Sequence, residues 1–311
     1  MRLNPTIGGL WARPPGDGPV DKHSIKLEVT MKASETIVGQ LIGVATAEFR
    51  LTQGLRALQP IAIAVSGGVD SLTLATLASR ALPPAARVMF HAVSPAVPTE
   101  ATERVSALGK QQGWQLVLFD AGEFGNEEYR RNPVNRCFHC KQSLYGSIRR
   151  KTTATILSGT NLDDLGEYRP GLDAARHFGV RHPYVEAGIS KAGVRLLATR
   201  LGLCELADLP AAPCLASRVE TGIRIEAASL RFIHRVERLL QRDLNPPVVR
   251  CRIRREAVVV ELDPWTLAHL SGEDRHRLSQ VILALPEAEA VIVPQGLIRY
   301  ETYRVGSAFL R

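Results

Sequence analysis

The stretch IAIAVSGGVDSL at residues 61–72 limits the folds open to this chain more than any other segment. Residues 61–65 form a continuous apolar run, the texture of a parallel strand buried on both faces. They lead directly into Ser66-Gly67-Gly68-Val69-Asp70-Ser71, and a helical apolar pattern follows over 70–82. Strand, glycine turn and helix in that order suit an open α/β sheet and create an anion site. Gly67 and Gly68 can take positive φ and let a phosphate approach the backbone. The helix N-terminus offers unpaired N–H groups and the positive end of its dipole. Ser66 and Ser71 add hydroxyl donors. Asp70 would repel a bare phosphate and makes sense if it faces a magnesium ion. The segment is therefore read as a pyrophosphate cradle, against the plainer alternative of a Gly-Gly turn.

The cradle lacks the lysine of GxxxxGK[ST] and is not GxGxxG. It resembles the signature of the PP-loop ATP pyrophosphatases, which cleave ATP between the α and β phosphates and transfer AMP to an acceptor oxygen. The resemblance implies an adenine nucleotide alpha hydrolase-like α/β fold, a parallel sheet with flanking helices. It also implies ATP and Mg2+ as cofactors, and adenylation instead of kinase or hydride chemistry.

At 311 residues, 45% hydrophobic and 23% charged, the chain can bury a large core, with one main domain and a smaller one expected. No apolar run approaches the ~20 residues that span a bilayer. MRLNPTIGGLWARPPGDGPVDKH has no apolar core of a secretory signal, so a cytoplasmic location is expected. Five cysteines, at 137, 140, 204, 214 and 251, argue against a disulfide scaffold and for thiol chemistry, metal binding or burial. A net charge of +8 raises an anionic partner. The arginines are scattered, however, and the densest group, Arg250, Arg252, Arg254 and Arg255, alternates as a solvated strand face would. Nucleic acid is not the expected partner.

Residues 1–34 read as a flexible tail, and 35–58 as an amphipathic helix leading into the first strand. Helices near 70–82 and 98–113 then alternate with strands in VMFHAVS, WQLVLFDA and TTATILS, which implies crossover connections and a parallel sheet over 35–218. Ligands of such sheets bind beyond the carboxyl ends of strands. That rule gathers SGGVDS, SPAVP and SGTNLDD around one mouth, so Gly159 and Asn161 join Ser66, Gly67, Gly68, Asp70 and Ser71 as candidates for holding ATP. Residues 219–311 read as a small α+β domain. It comprises an Arg-rich helix at 227–244, a hairpin of VVRCRIR and AVVVELD, a helix at 273–285, and strands in AVIVP and GLIRYETYR.

Three constellations carry chemistry. Asn132-Pro133 followed by Arg136-Cys137-Phe138-His139-Cys140-Lys141 contains the one C-x-x-C of the chain. A four-ligand zinc site needs a second pair, so a structural or substrate-shaping role is preferred. Ser158 to Asp164 with Arg169 places adjacent carboxylates after a strand end. Asp164 suits a hard cation and Arg169 suits phosphate or carboxylate, whereas Asp163 reads as a helix cap. Finally, Pro210-Ala211-Ala212-Pro213-Cys214-Leu215-Ala216-Ser217-Arg218 flanks a cysteine with proline and small residues, and an arginine beside a thiol favours thiolate.

Taken together, AVSGGVDS, NPVNRCFHCK, GTNLDDLGEYRPG, GVRHPYVEAGISKAGVRLLATRLGL and PAAPCLASR resemble the ATP-dependent sacrificial sulfur transferase (LarE) family, from about residue 35 onward and more weakly after 219. The resemblance implies a step towards a nickel-pincer cofactor. A carboxylate of a small pyridinium mononucleotide is adenylated, a protein cysteine forms a thioester, and the Cβ–S bond of that cysteine breaks to leave dehydroalanine. Cys214 matches the family's sulfur donor. Arg169, Ser217 and Arg218 are candidates for binding the substrate, and Asp70 and Asp164 for binding the metal. A homo-oligomer is implied as well. Val219-Glu220-Thr221-Gly222 departs from the family's hydrophobic-Pro-Tyr-Gly segment. After Cys214 only Cys251 remains, which favours a stoichiometric sulfur donor over a cluster. The rival reading is a PP-loop tRNA thiolase with a persulfide on Cys137 or Cys140.

Overall fold

The structure, a computed structural model, describes residues 43, 45–166, 169–210, 213–291 and 298–307. The expected tail and the start of the first helix lie outside the described residues. Residues 47–311 form one compact unit, which opens in helix through residue 58. Among the described residues no helix is long and apolar enough to cross a membrane.

Four strands, β1 (Ile61–Ala64), β2 (Arg87–Ala92), β3 (Leu116–Phe119) and β4 (Thr155–Leu157), form an all-parallel sheet in the order β3-β2-β1-β4. β1 shows why its sequence is apolar without alternation. Ile61 and Ile63 enter a core with Leu72, Leu74, Tyr184 and Leu197, while Ala62 faces the opposite core of Phe90, Tyr145, Ile148 and Ile156. Helices Val69–Ala81 and Lys191–Arg200 cover the first face, and helix Arg136–Lys151 covers the second. The chain adds β2 and β3 on one side of β1 and returns to place β4 on the other. The carboxyl ends of β1 and β4 thus flank the switch point at which such sheets bind ligands. This is the PP-loop α/β architecture expected from the sequence.

A second sheet holds β5 (Val249–Ile253) and β6 (Val258–Leu262) antiparallel, with β7 (Ile298–Thr302) parallel to β6. Helix Ala227–Leu244 lays Leu230, Ile233, Val236 and Leu240 against Cys251, Val260 and Leu262. Leu215, Ala216 and Val219 belong to the same core, so the segment just after Cys214 is anchored there.

Most of the strand expected in AVIVP, residues 292–294, lies outside the described residues, and its first residue, Ala290, ends a 3-10 turn, Pro286–Ala290, that starts with a proline preset for helical φ. One expectation changes. The arginines of β5 are not a solvated face. Arg252 is buried and paired with the equally buried Glu261 at 2.7 Å, and Arg254 reaches the same carboxylate at 2.9 Å. Glu261 sits diagonally across the β5–β6 ladder on the arginine face, and a carboxylate out of water demands such partners. Arg250 lies over the Tyr303 ring at 5.8 Å, and only Arg255 keeps a largely exposed side chain.

Candidate active site

At the end of β1 the glycines divide their work. Gly67 takes φ +85°, and a Cβ there would stand 2.8 Å from the carbonyl oxygen of Ala101, so the residue is needed for both its conformation and its closeness to helix Thr99–Gln111. Gly68 instead has ordinary negative φ and forms the N-cap of helix Val69–Ala81, with no side chain to occupy the first amides. Of the two glycines able to take positive φ, only Gly67 does so. Ser71 Oγ accepts from Ser66 N at 3.0 Å and donates to Gly68 O at 3.2 Å, which closes the turn, and Arg104 donates to Gly67 O at 2.7 Å.

The β4 loop packs onto this helix start. A Cβ on Gly159 would meet Ser71 N at 2.8 Å, so glycine is what allows the approach. Asn161 Nδ2 then donates to Asp70 Oδ1 at 3.1 Å, and Tyr184 Oη donates to Asp70 O at 2.9 Å. Lys191 Nζ meets Asp70 Oδ2 at 2.5 Å. Asp164 accepts from Asn161 N at 3.0 Å and pairs with Arg169 at 2.9 Å. A continuous polar chain therefore runs from Arg169 through Asp164, Asn161 and Asp70 to Lys191. Asp163 does cap a helix: its Oδ2 accepts from Lys191 N at 3.0 Å, beside the N-cap Ser190.

The cysteine segment is held by buried polar groups. Arg218, 3% exposed, grips Glu237 through two bonds of 3.0 Å, and it also donates to the main-chain oxygens of Pro213 and Cys214. Its guanidinium is thus a brace for the Cys214 turn, and Ser217 Oγ accepts from the same group at 3.2 Å. Leu215 N donates to Ala96 O at 2.9 Å, tying the turn to the loop after β2. Asn132, buried with φ 56°, donates to the carbonyls of Val219, Glu220 and Ile223, while Arg136 donates to its Oδ1. The NPVNRC string thereby fixes the VETG segment that departs from the family pattern.

Cys214 is exposed and lines a cleft of about 700 Å³ whose walls also include Ser66, Gly67, Gly68, Cys140, Lys141 and Arg250. Burial pushes the Cys140 thiol up to about 12, and it also raises Cys137, with the Cys214 sulfur adding to both shifts. The Lys141 ammonium is held above its ordinary range by Tyr145 and then by Cys140, Cys137 and Cys214. Three thiols and one ammonium therefore share a neighbourhood. Among the described residues no group of three His, Cys, Asp or Glu side chains is arranged to hold a metal ion.

Of the residues singled out from sequence, Ser66, Gly67, Gly68, Cys214 and Arg218 line the cleft. Asp70, Ser71, Gly159 and Asn161 form the wall behind the cradle, and Asp164 and Arg169 extend that wall through the polar chain. Ser217 is buried beneath the cysteine turn. Lys191 and Tyr184 were missed. Lys191 carried a readable signal, since a cation at the first position of a helix opposes the helix dipole and calls for a nearby carboxylate. Tyr184, wholly buried in an otherwise apolar core, gave none.

No protein-family model matches the chain. An uncharacterised protein of Synechocystis is 38% identical over 206 residues, 65% of this chain and 76% of its own length. The pyridinium-3,5-bisthiocarboxylic acid mononucleotide synthase of Lactiplantibacillus plantarum is 26% identical over 222 residues, 70% of this chain and 80% of its own. An uncharacterised protein of Methanocaldococcus jannaschii is 26% identical over 207 residues, 65% of this chain and 77% of its own. With a PP-loop sheet, a cradle at its switch point and these relatives matching about two thirds of its length, the chain belongs to the LarE family.

Proposed function

We propose that this chain is an ATP-dependent sulfur transferase of nickel-pincer cofactor biosynthesis, acting in the cytoplasm on a pyridinium mononucleotide that carries carboxylates. The observation that carries the reading is that an exposed thiol, Cys214, opens onto the same cleft as the glycine cradle. The Lactiplantibacillus relative, a synthase of the bisthiocarboxylic acid mononucleotide, supplies the substrate class.

In this reading the cradle binds the β and γ phosphates of ATP through the amides at the start of helix Val69–Ala81. Asp70 suits Mg2+, which commonly takes one or two carboxylates plus phosphate oxygens, and bound Mg2+ would neutralise charge on the departing pyrophosphate. Lys191 and Asn161 hold the Asp70 carboxylate in place. A substrate carboxylate oxygen attacks the α-phosphate and pyrophosphate leaves. The Cys214 sulfur then attacks the acyl carbon, expelling AMP and forming a thioester. Loss of the residue 214 Cα proton forms the Cα=Cβ bond and breaks Cβ–S, so a thiocarboxylate leaves and dehydroalanine stays. The thiolase alternative puts the reactive sulfur on Cys137 or Cys140, and burial opposes thiolate formation at both.

The test is to incubate the full chain with ATP, Mg2+ and the pyridinium-3,5-biscarboxylic acid mononucleotide and to weigh the protein. Loss of the elements of hydrogen sulfide, mapped to residue 214, is expected. Product formed beside a protein of unchanged mass sinks the reading. Cys214→Ala should keep pyrophosphate release and abolish transfer.

A further inference from the structure

Three carboxylates line the cleft, and two of them are fully engaged. Glu100 accepts from His234 at 2.8 Å and pairs with Arg238 at 3.2 Å. Glu237 holds Arg218 and accepts from Cys251 N at 3.0 Å. Glu123 is different. It is 4% exposed, and its Oε2 is buried without a hydrogen-bond partner. A buried carboxylate oxygen left unpaired is costly, and in a folded protein it asks for a reason.

The surroundings of Glu123 are fixed. It opens the 3-10 turn Glu123–Gly125 just beyond β3, on the carboxyl side of the sheet where ligands bind. Asp120 Oδ1 accepts from Gly122 N at 2.8 Å, and Asn126 N donates to Glu123 O at 3.0 Å. Ser147 Oγ donates to Ala121 O at 2.9 Å, joining this turn to the helix that bears Cys137 and Cys140. Glu123, Cys140 and Cys214 line the same cleft, and their neighbours Phe124, Tyr129 and Leu215 pack with Cys140 in one core. The Tyr129 hydroxyl is buried and likewise has no partner.

We propose that Glu123 is the catalytic base that removes the Cα proton of residue 214 after its sulfur has been acylated. The step rests on the sulfur-transfer reading above and balances without an added oxidant or reductant. A Glu123 oxygen takes the proton, and the Cα–H electron pair becomes the Cα=Cβ bond. The Cβ–S pair departs with sulfur as the thiocarboxylate. Neither preceding step, attack on ATP or thioester formation, uses Glu123.

Glu123→Gln tests this with ATP, Mg2+ and the biscarboxylic acid mononucleotide, following pyrophosphate, protein mass and residue 214 by peptide mapping. Pyrophosphate release should persist, the thioester-linked mononucleotide should accumulate on Cys214, and dehydroalanine should form about 10²- to 10⁴-fold more slowly, the usual range for losing a general base. Added formate should restore elimination in Glu123→Ala, a rescue that a merely structural role would not give. Dehydroalanine formation at the wild-type rate in Glu123→Gln overturns the assignment alone. So does loss of pyrophosphate release in a Glu123→Gln chain that unfolds at the wild-type Tm, because Glu123 would then serve the nucleotide step. A wild-type chain that forms no adduct overturns the functional reading and the assignment with it.

Discussion

The two ends of the cleft are built in opposite ways. The cradle is largely local: six consecutive residues supply the turn, the N-cap and the hydroxyls, and the β4 loop closes against them through Gly159 and the bond from Asn161 to Asp70. The Cys214 end is assembled from a distance. Its turn is held by Arg218 against Glu237 nineteen residues on, by Ala96 from the β2 loop, and by Asn132 binding the carbonyls of the segment that follows. The first end depends on backbone shape, the second on satisfied buried charge. A backbone site tolerates change around it as long as the turn survives, whereas a charge network fails when either partner is removed.

That contrast is sharpest in stability. Arg218→Met leaves Glu237 as a buried charge without its partner and should cost about 3–5 kcal/mol, read by urea unfolding. Arg218→Met combined with Glu237→Leu should recover much of this loss, and failure to recover would mean that the brace acts through the main chain of Pro213 and Cys214 alone. Asp70→Ala probes the other end through activity. Pyrophosphate release and sulfur transfer should fall together by about 10²- to 10³-fold, with a smaller loss of stability than in Arg218→Met because the Asp70–Lys191 pair is partly exposed. A variant that lost only transfer would break the division between the two ends. Gly67→Ala should destabilise by roughly 1–2 kcal/mol from the left-handed backbone, plus the displacement of Ala101.

The smallest effect separates the thiols. Iodoacetamide at neutral pH should label exposed Cys214 ahead of Cys140, whose proton is held up to about 12. Labelling of Cys140 should rise as pH climbs towards that value. Because its folded pKa exceeds the ordinary thiol value of 9.0, the stability this burial supports is fully present below about 9 and is lost as pH rises from there to about 12. Peptide mapping across the pH series, beside thermal unfolding, checks both statements.

What the sequence disclosed follows the same division. The cradle, the parallel sheet and the exposed Cys214 could be read from short strings, because turn chemistry and strand texture act over a few residues. Asp163 was legible as a cap, though the helix it caps begins at Lys191. The neutralised face of β5 was not legible, because Arg252 and Glu261 meet only through the diagonal register of two strands. Nor was Asn132, whose three acceptors lie about ninety residues away. Alternating arginines look the same whether water or a buried carboxylate receives them.

The brace beneath residue 214 grips oxygen atoms of the peptide chain and never the side chain itself. Under the proposed chemistry, a molecule that has given up its sulfur keeps every one of those bonds. Spent copies would then persist as well-folded nucleotide binders, and a cell relying on this protein must replace them or live with decoys that compete for ATP and substrate.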